Sequence, residues 1–241
     1  MMALLLGASV GATAPVVVRR EVWEGVRWTV AEVDLSKAHI ELVGQRAGAP
    51  VPHTLARTAQ WVVDQGRRPL FATNAGIYTE DRRPLGLHIE AGVRYQAINR
   101  ADGVGNFYLQ PNGVFGIGPD GAAVRETSEV PTGVVGWTLA TQSGPLLLRD
   151  KTPHPRFLRD SRSRKIRSWV GVVDASHIVL AVSLDRVRFH DTATFARDGM
   201  GCTDALYLDG TISEYWTPER AQVEGDPRGY GSVLVISVPA E

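Results

Sequence analysis

Short apolar runs, each closed by turn residues, set the limits on what this chain can fold into. Val26, Trp28, Val30 and Val33 alternate with polar neighbours, and Ile40 and Leu42 follow beyond a turn at residues 34–37, an expected strand pair. A hairpin is expected over residues 87–98 around Glu90-Ala91-Gly92, then short strands at 107–109, 114–117 and 122–125. A further hairpin at 172–183 turns at Asp174-Ala175-Ser176, and residues 233–238 close the chain as a strand. Helical spacing occurs at only two places: Leu55, Ala59, Val62 and Val63 ahead of Gly66, and residues 192–196 ahead of Gly199 and Gly201. This pattern predicts an α+β fold of mixed, mostly antiparallel sheets, many short strands and two principal helices. With 44% hydrophobic residues the core can be substantial, and no repeat or linker interrupts the chain, so residues 15–241 read as one domain.

Strand ends are where rigid backbone delivers side chains into turns, and three such ends carry polar groups. Residues 205–208 form an uncharged run that feeds Asp209 into a turn at Gly210, with Ser213 just beyond. Residues 71–73 end in Asn74-Ala75-Gly76-Ile77-Tyr78, and the strand from Leu139 ends in Gln142-Ser143-Gly144-Pro145. Each has a plain structural reading: Asp-Gly is a common turn dipeptide, Asn74 suits an Asx-turn, and Gln142 and Ser143 can satisfy their own turn.

Charge narrows the partners. Twenty-six basic and 26 acidic residues cancel, so no long-range field draws the chain to nucleic acid or to an anionic membrane. Against that neutrality, Arg162, Arg164, Lys165 and Arg167 stand out as a local cationic segment, fit either for phosphate or carboxylate or for a solvated loop. Asp185 and His190 lie near an expected helix start as further candidates, although a lone His such as His190 is more often a cap than a ligand-binding imidazole. His53 reads as a solvated residue before the first helix. The lone Cys202 excludes an intrachain disulfide and reads as packing. Gly116, Gly118 and Gly121 match a dinucleotide fingerprint formally, but no helix follows to hold a pyrophosphate. No metal motif is visible, and no cofactor is expected; calcium held by carboxylates and carbonyls would leave little trace.

Residues 1–14 carry a short apolar stretch ending in Ala12-Thr13-Ala14, which reads as a signal peptide whose missing basic segment suggests a truncated start. A secreted or periplasmic location follows, and no later run is long enough for a membrane span.

In this order, Asn74 to Tyr78, residues 106–115, Gln142 to Pro145, the arginine segment from Asp160 to Gly171, and Asp209-Gly210 with Ser213 resemble the phosphodiester glycosidase family, over about residues 26–238. The resemblance departs from the family pattern at Ala75, Ile77, Tyr78, Thr211 and Ile212, the last two standing where the family has glycines, as in an uncharacterised bacterial branch. It implies a hydrolase acting on a small glycan or glycosyl-phosphate substrate. Under it, Asp209 is the base or nucleophile, Arg167 with Arg164 holds phosphate, and Asn74 orients sugar or water. Gly76, Gln142, Ser143, Asp185, His190, Gly210 and Ser213 complete the expected substrate-binding set. The alternatives are a catalytically silent, secreted binder of carbohydrate or cell envelope, and a phosphodiesterase that cleaves on the phosphorus side.

Overall fold

The computed structural model describes residues 14–46 and 54–240. Three sheets form the domain. The first has seven strands in the order β1 (Val16–Trp23), β2 (Val26–Asp34), β13 (His177–Ser183), β12 (Ser168–Val172), β14 (Asp204–Asp209), β10 (Leu146–Arg149) and β11 (Thr152–Pro153). The second runs β15 (Tyr215–Trp216), β4 (Arg67–Asn74), β16 (Val233–Pro239), β3 (His39–Val43). The third runs β6 (Val93–Gln96), β5 (His88–Glu90), β9 (Leu139–Ser143), β7 (Gly113–Gly118), β8 (Gly121–Glu126). Every pairing among them is antiparallel.

Alternation within strands explains the layering. In β14, Leu206 and Leu208 join a core shared with Leu42, Phe71, Leu234 and Ile236 of the second sheet and Phe115 and Leu139 of the third. Ala205 and Tyr207, on the opposite face, join Trp28, Trp169, Ala193 and Phe195. Both faces of β14 are therefore covered, and each buried leucine contributes about 1.5–3 kcal/mol. Helix α1 (Leu55–Asp64) starts at Thr54, whose hydroxyl accepts from the Arg57 N–H at 3.2 Å, and packs Leu55, Ala59 and Val62 on the outer face of the second sheet. Helix α2 (Phe189–Thr194) passes into a wider turn over Phe195–Gly199 and covers the first sheet from the other side.

The two expected helices and most expected strands are present, with three differences. β2 and β3 are both strands but do not pair with each other: β2 is flanked by β1 and β13, so β3 completes the edge of the second sheet beside β16. Residues 106–108 form a single 3-10 turn in place of a strand; Phe107 is buried and its carbonyl accepts from Asn112 Nδ2 at 2.7 Å. β1 is an edge strand that Arg19, Arg20 and Glu21 hide from an apolar pattern. The expected leader, apart from Ala14, and His53 lie outside the described residues.

Candidate functional site

Three strand ends converge through one buried hydrogen-bond network. Asn74, ending β4, donates from Nδ2 to Ser168 Oγ at 2.9 Å, and Ser168 opens β12 in register with Asp209. Ser213 Oγ donates to the Asp209 carbonyl at 2.8 Å and accepts from the Ser168 N–H at 3.0 Å, with Ser168 Oγ a further 3.0 Å partner. Ser143, ending β9, donates to the carbonyl of Leu208 at 3.0 Å and accepts from the Ile77 N–H at 3.4 Å. Asn74, Ser143 and Ser168 are fully buried, so this network fixes the backbone on which Asp209 stands.

Three further positions are fixed by close packing or saturation. A Cβ on Gly76 would sit 2.6 Å from both the Gln142 carbonyl oxygen and Thr141 Oγ1, and one on Gly210 would collide with the Tyr207 hydroxyl. Gln142 accepts from the N–H groups of Leu87 and Asn99, both at 2.9 Å, and donates to Asn99 O at 2.6 Å and Thr127 Oγ1 at 3.1 Å. Its amide is thereby committed to strapping the segment between β6 and the 3-10 turn onto the third sheet.

Asp209 lines a cavity of about 500 Å3 together with Tyr78, Thr79, Glu80, Arg82, Ile212, Arg228 and Gly229. Burial pushes its carboxyl up to about 6, opposed by the Gly210 N–H at 2.5 Å and assisted by the negative charge of Asp226. Burial and the Asp209 charge push the Tyr78 hydroxyl up to about 12, and it donates to Gly229 O at 3.1 Å. Arg228 is paired with Asp226 at 2.9 Å, which holds that carboxyl below its ordinary range. Arg82, at a positive φ of 63°, forms no ion pair among the described residues. The loop bearing Arg228 is tied down by Tyr230, whose hydroxyl donates to Ile212 O at 3.1 Å and accepts from the Asp226 N–H at 3.0 Å. A carboxyl raised to about 6, on the wall of a cavity that Arg82 and Arg228 also line, can exchange a proton with a ligand whose negative charge those cations hold.

Arg167 occupies a different position, behind the cavity wall. Its guanidinium is buried over the Phe189 ring at 3.6 Å, donates through Nε to Val187 O at 3.0 Å, and interacts with the Tyr207 hydroxyl, as does Asn106. Nη1 has no partner among the described residues, and burial lowers the pKa of the group. Arg164 lines a separate cavity near Trp23 and Trp28. Asp185 is committed to Arg27 at 2.7 Å, a pairing that pulls its carboxyl down to about 2. His190 lies in the first turn of α2, 3.7 Å from Asp191.

The candidates brought together with Asp209 are thus Asn74, Gly76, Ser143, Gly210 and Ser213, whereas Arg164, Asp185 and His190 lie outside its cavity. Sequence reasoning passed over Arg82, Arg228 and Tyr207. Arg82 follows the Asn74 to Tyr78 turn closely in sequence, and Tyr207 carries the one side-chain polar atom inside the apolar run 205–208. Arg228 lies in a Pro/Gly-bearing loop with no local signal. Among the described residues no cluster of His, Cys, Asp or Glu has the arrangement to hold a metal ion.

Comparison with known proteins identifies a family for the chain. The family model described as phosphodiester glycosidase matches residues 68–236. The uncharacterized protein YigE of Escherichia coli (strain K12) is 34% identical over 177 residues, covering 73% of this chain and 69% of that protein. Among solved structures, the catalytic domain of zebrafish N-acetylglucosamine-1-phosphodiester alpha-N-acetylglucosaminidase, auto-inhibited by its pro-peptide, matches with a TM-score of 0.61 at 15% identity, over 97% of this chain and 86% of that one. A Burkholderia pseudomallei protein whose name proposes export matches at 0.56 and 12% identity, over 88% and 74%. At these identities the two structures speak for the fold alone.

Proposed function

The chain belongs to the phosphodiester glycosidase family, and from that premise we propose that it hydrolyses a sugar-1-phosphodiester, with Asp209 at the reacting centre. The observation that carries the proposal is the Asp209 carboxyl, raised to about 6, on a cavity wall that also bears Arg82 and Arg228. At neutral pH this carboxyl is mostly ionised yet basic enough to accept a proton, the condition for a general base. Water loses a proton to Asp209 as its oxygen bonds to the anomeric carbon, the bond from that carbon to the phosphate oxygen breaks, and a phosphate monoester leaves. A phosphate leaving group needs less protonation than an ordinary alcohol, so the demand on a second acid is small.

Arg82 and Arg228 bind the phosphate oxygens in this scheme and neutralise the charge that grows on them. Arg167 holds Tyr207 beneath Gly210 and acts on the site through it. Asn74 and Ser213 are positioning residues, acting through Ser168 and the Asp209 backbone. Export is part of the proposal, supported by the leader-like residues 1–14 and by the name of the Burkholderia relative. A panel of sugar-1-phosphodiesters incubated with the purified chain and with Asp209→Asn tests the function. Turnover that the variant loses supports it; binding without turnover by the native chain points to the silent carbohydrate-binding alternative.

A further inference from the structure

The cationic segment before β12 places one arginine in a second cavity that the proposed reaction does not use. This cavity, about 220 Å3, is lined by Trp23, Glu24, Val26, Trp28, Arg164, Arg188 and Asp191, where the β1–β2 turn meets the start of α2. It is smaller than the roughly 300–1,000 Å3 of pockets for drug-sized ligands, and so suits one small ring.

Its chemistry is weighted toward donors. The buried indole N–H groups of both Trp23 and Trp28 have no acceptor among the described residues, and Trp28 is fully buried with its ring stacked on Phe195 at 4.6 Å. Both N–H groups are enclosed, as is the unpartnered Nε1 of Trp169 outside this cavity, so none of them reaches a ligand in it. Arg164 is exposed and forms no ion pair among the described residues, leaving a full guanidinium fork at the cavity. Arg188 donates through Nε to Ser161 O at 2.9 Å and pairs with Asp191 at 3.3 Å, so the carboxylate of Asp191 is already engaged. Glu24 stands on the exposed β1–β2 turn, at a φ of 47°.

We propose that this cavity is a second, non-catalytic binding site for a single sugar unit bearing an anionic group, either carboxylate or phosphate. The half-buried indole of Trp23 offers a flat apolar surface to the C–H face of a sugar ring, while Arg164 pairs with the anionic oxygens. The Glu24 carboxylate accepts from a hydroxyl. The site does not depend on the Asp209 reading, because the two cavities share no lining residue.

Two of the six tryptophans line this cavity, so intrinsic fluorescence reports on it directly. The probes are glucuronate, glucose 1-phosphate, glucose and inorganic phosphate, titrated into the full chain, into Arg164→Ala and into Asp209→Asn. The expected result is saturable quenching by glucuronate or glucose 1-phosphate, at least tenfold weaker with glucose and with phosphate alone. Arg164→Ala, at an exposed position, keeps its fold by circular dichroism and loses at least tenfold in affinity, and Asp209→Asn retains it. Which anionic sugar binds more tightly decides between carboxylate and phosphate. Absence of saturable quenching, equal affinity of Arg164→Ala and the native chain, equal affinity for glucose, or loss of the signal in Asp209→Asn each overturns the proposal.

Discussion

Replacing Asp209 with Asn removes the proposed base and makes the folded protein more stable at neutral pH. The carboxyl moves from 3.8 to about 6 on folding because burial disfavours its charge. A raised carboxyl pKa means that the folded chain holds this proton more tightly than the unfolded chain. The stability it contributes is full below about pH 4 and is lost as pH rises through about 6. Two units at about 1.36 kcal/mol each set an upper bound of about 3 kcal/mol. Screening in the open cavity reduces this to about 1–3 kcal/mol. Asn keeps the acceptor for the Gly210 N–H and has no charge to bury. Urea unfolding of both chains from pH 4 to pH 8 measures the difference. The advantage of Asp209→Asn is expected to grow from near zero at pH 4 to about 1–3 kcal/mol at pH 8. At about 2–4 °C per kcal/mol, the melting temperature at pH 8 rises by a few degrees. A variant no more stable than the native chain at pH 8, or a difference that ignores pH, refutes the reasoning.

Gly76→Ala drives a Cβ to 2.6 Å from the Gln142 carbonyl and Thr141 Oγ1, and is expected to cost about 1–3 kcal/mol in urea; an unchanged midpoint contradicts this packing. Arg82→Ala and Arg228→Ala each remove a cation that, in a charge-assisted hydrogen bond, is worth about 1.5–3 kcal/mol. Steady-state kinetics on a phosphodiester substrate should show KM raised at least tenfold with the fold intact, and an unchanged KM removes these residues from phosphate binding. Asn74→Ala takes away the donor to Ser168 Oγ and is expected to cost about 1–3 kcal/mol while lowering kcat more than it raises KM. A KM effect alone would mean that Asn74 touches substrate directly.

Local alternation carried most of the fold. Residues 205–208 read as an uncharged run ending in a turn, and Ala205, Leu206, Tyr207 and Leu208 are all buried in one strand, between two cores. Partner choice was not legible, because a run such as β3 looks the same whether it pairs with β2 or with β16; the occupied edges of β2 decide. At the site, the polar strand ends Asn74, Ser143 and Asp209 stood out as side chains that interrupt apolar runs, and they do converge. Arg82 and Arg228 did not stand out, since an arginine in a loop has the same local sequence whether it faces a cavity or open water. They are 146 positions apart in the sequence (228 minus 82), and only the folded chain puts them on one wall. Arg164 and Arg167, neighbours in sequence, separate because Arg167 turns into the interior beside Phe189 while Arg164 remains outside.

The most direct test of the central claim is hydrolysis of a sugar-1-phosphodiester in oxygen-18 water, with the products separated and weighed by mass spectrometry. The account predicts turnover that depends on Asp209, with the label in the sugar hydroxyl and none in the phosphate monoester. Label in the phosphate, or turnover undiminished in Asp209→Asn, contradicts it.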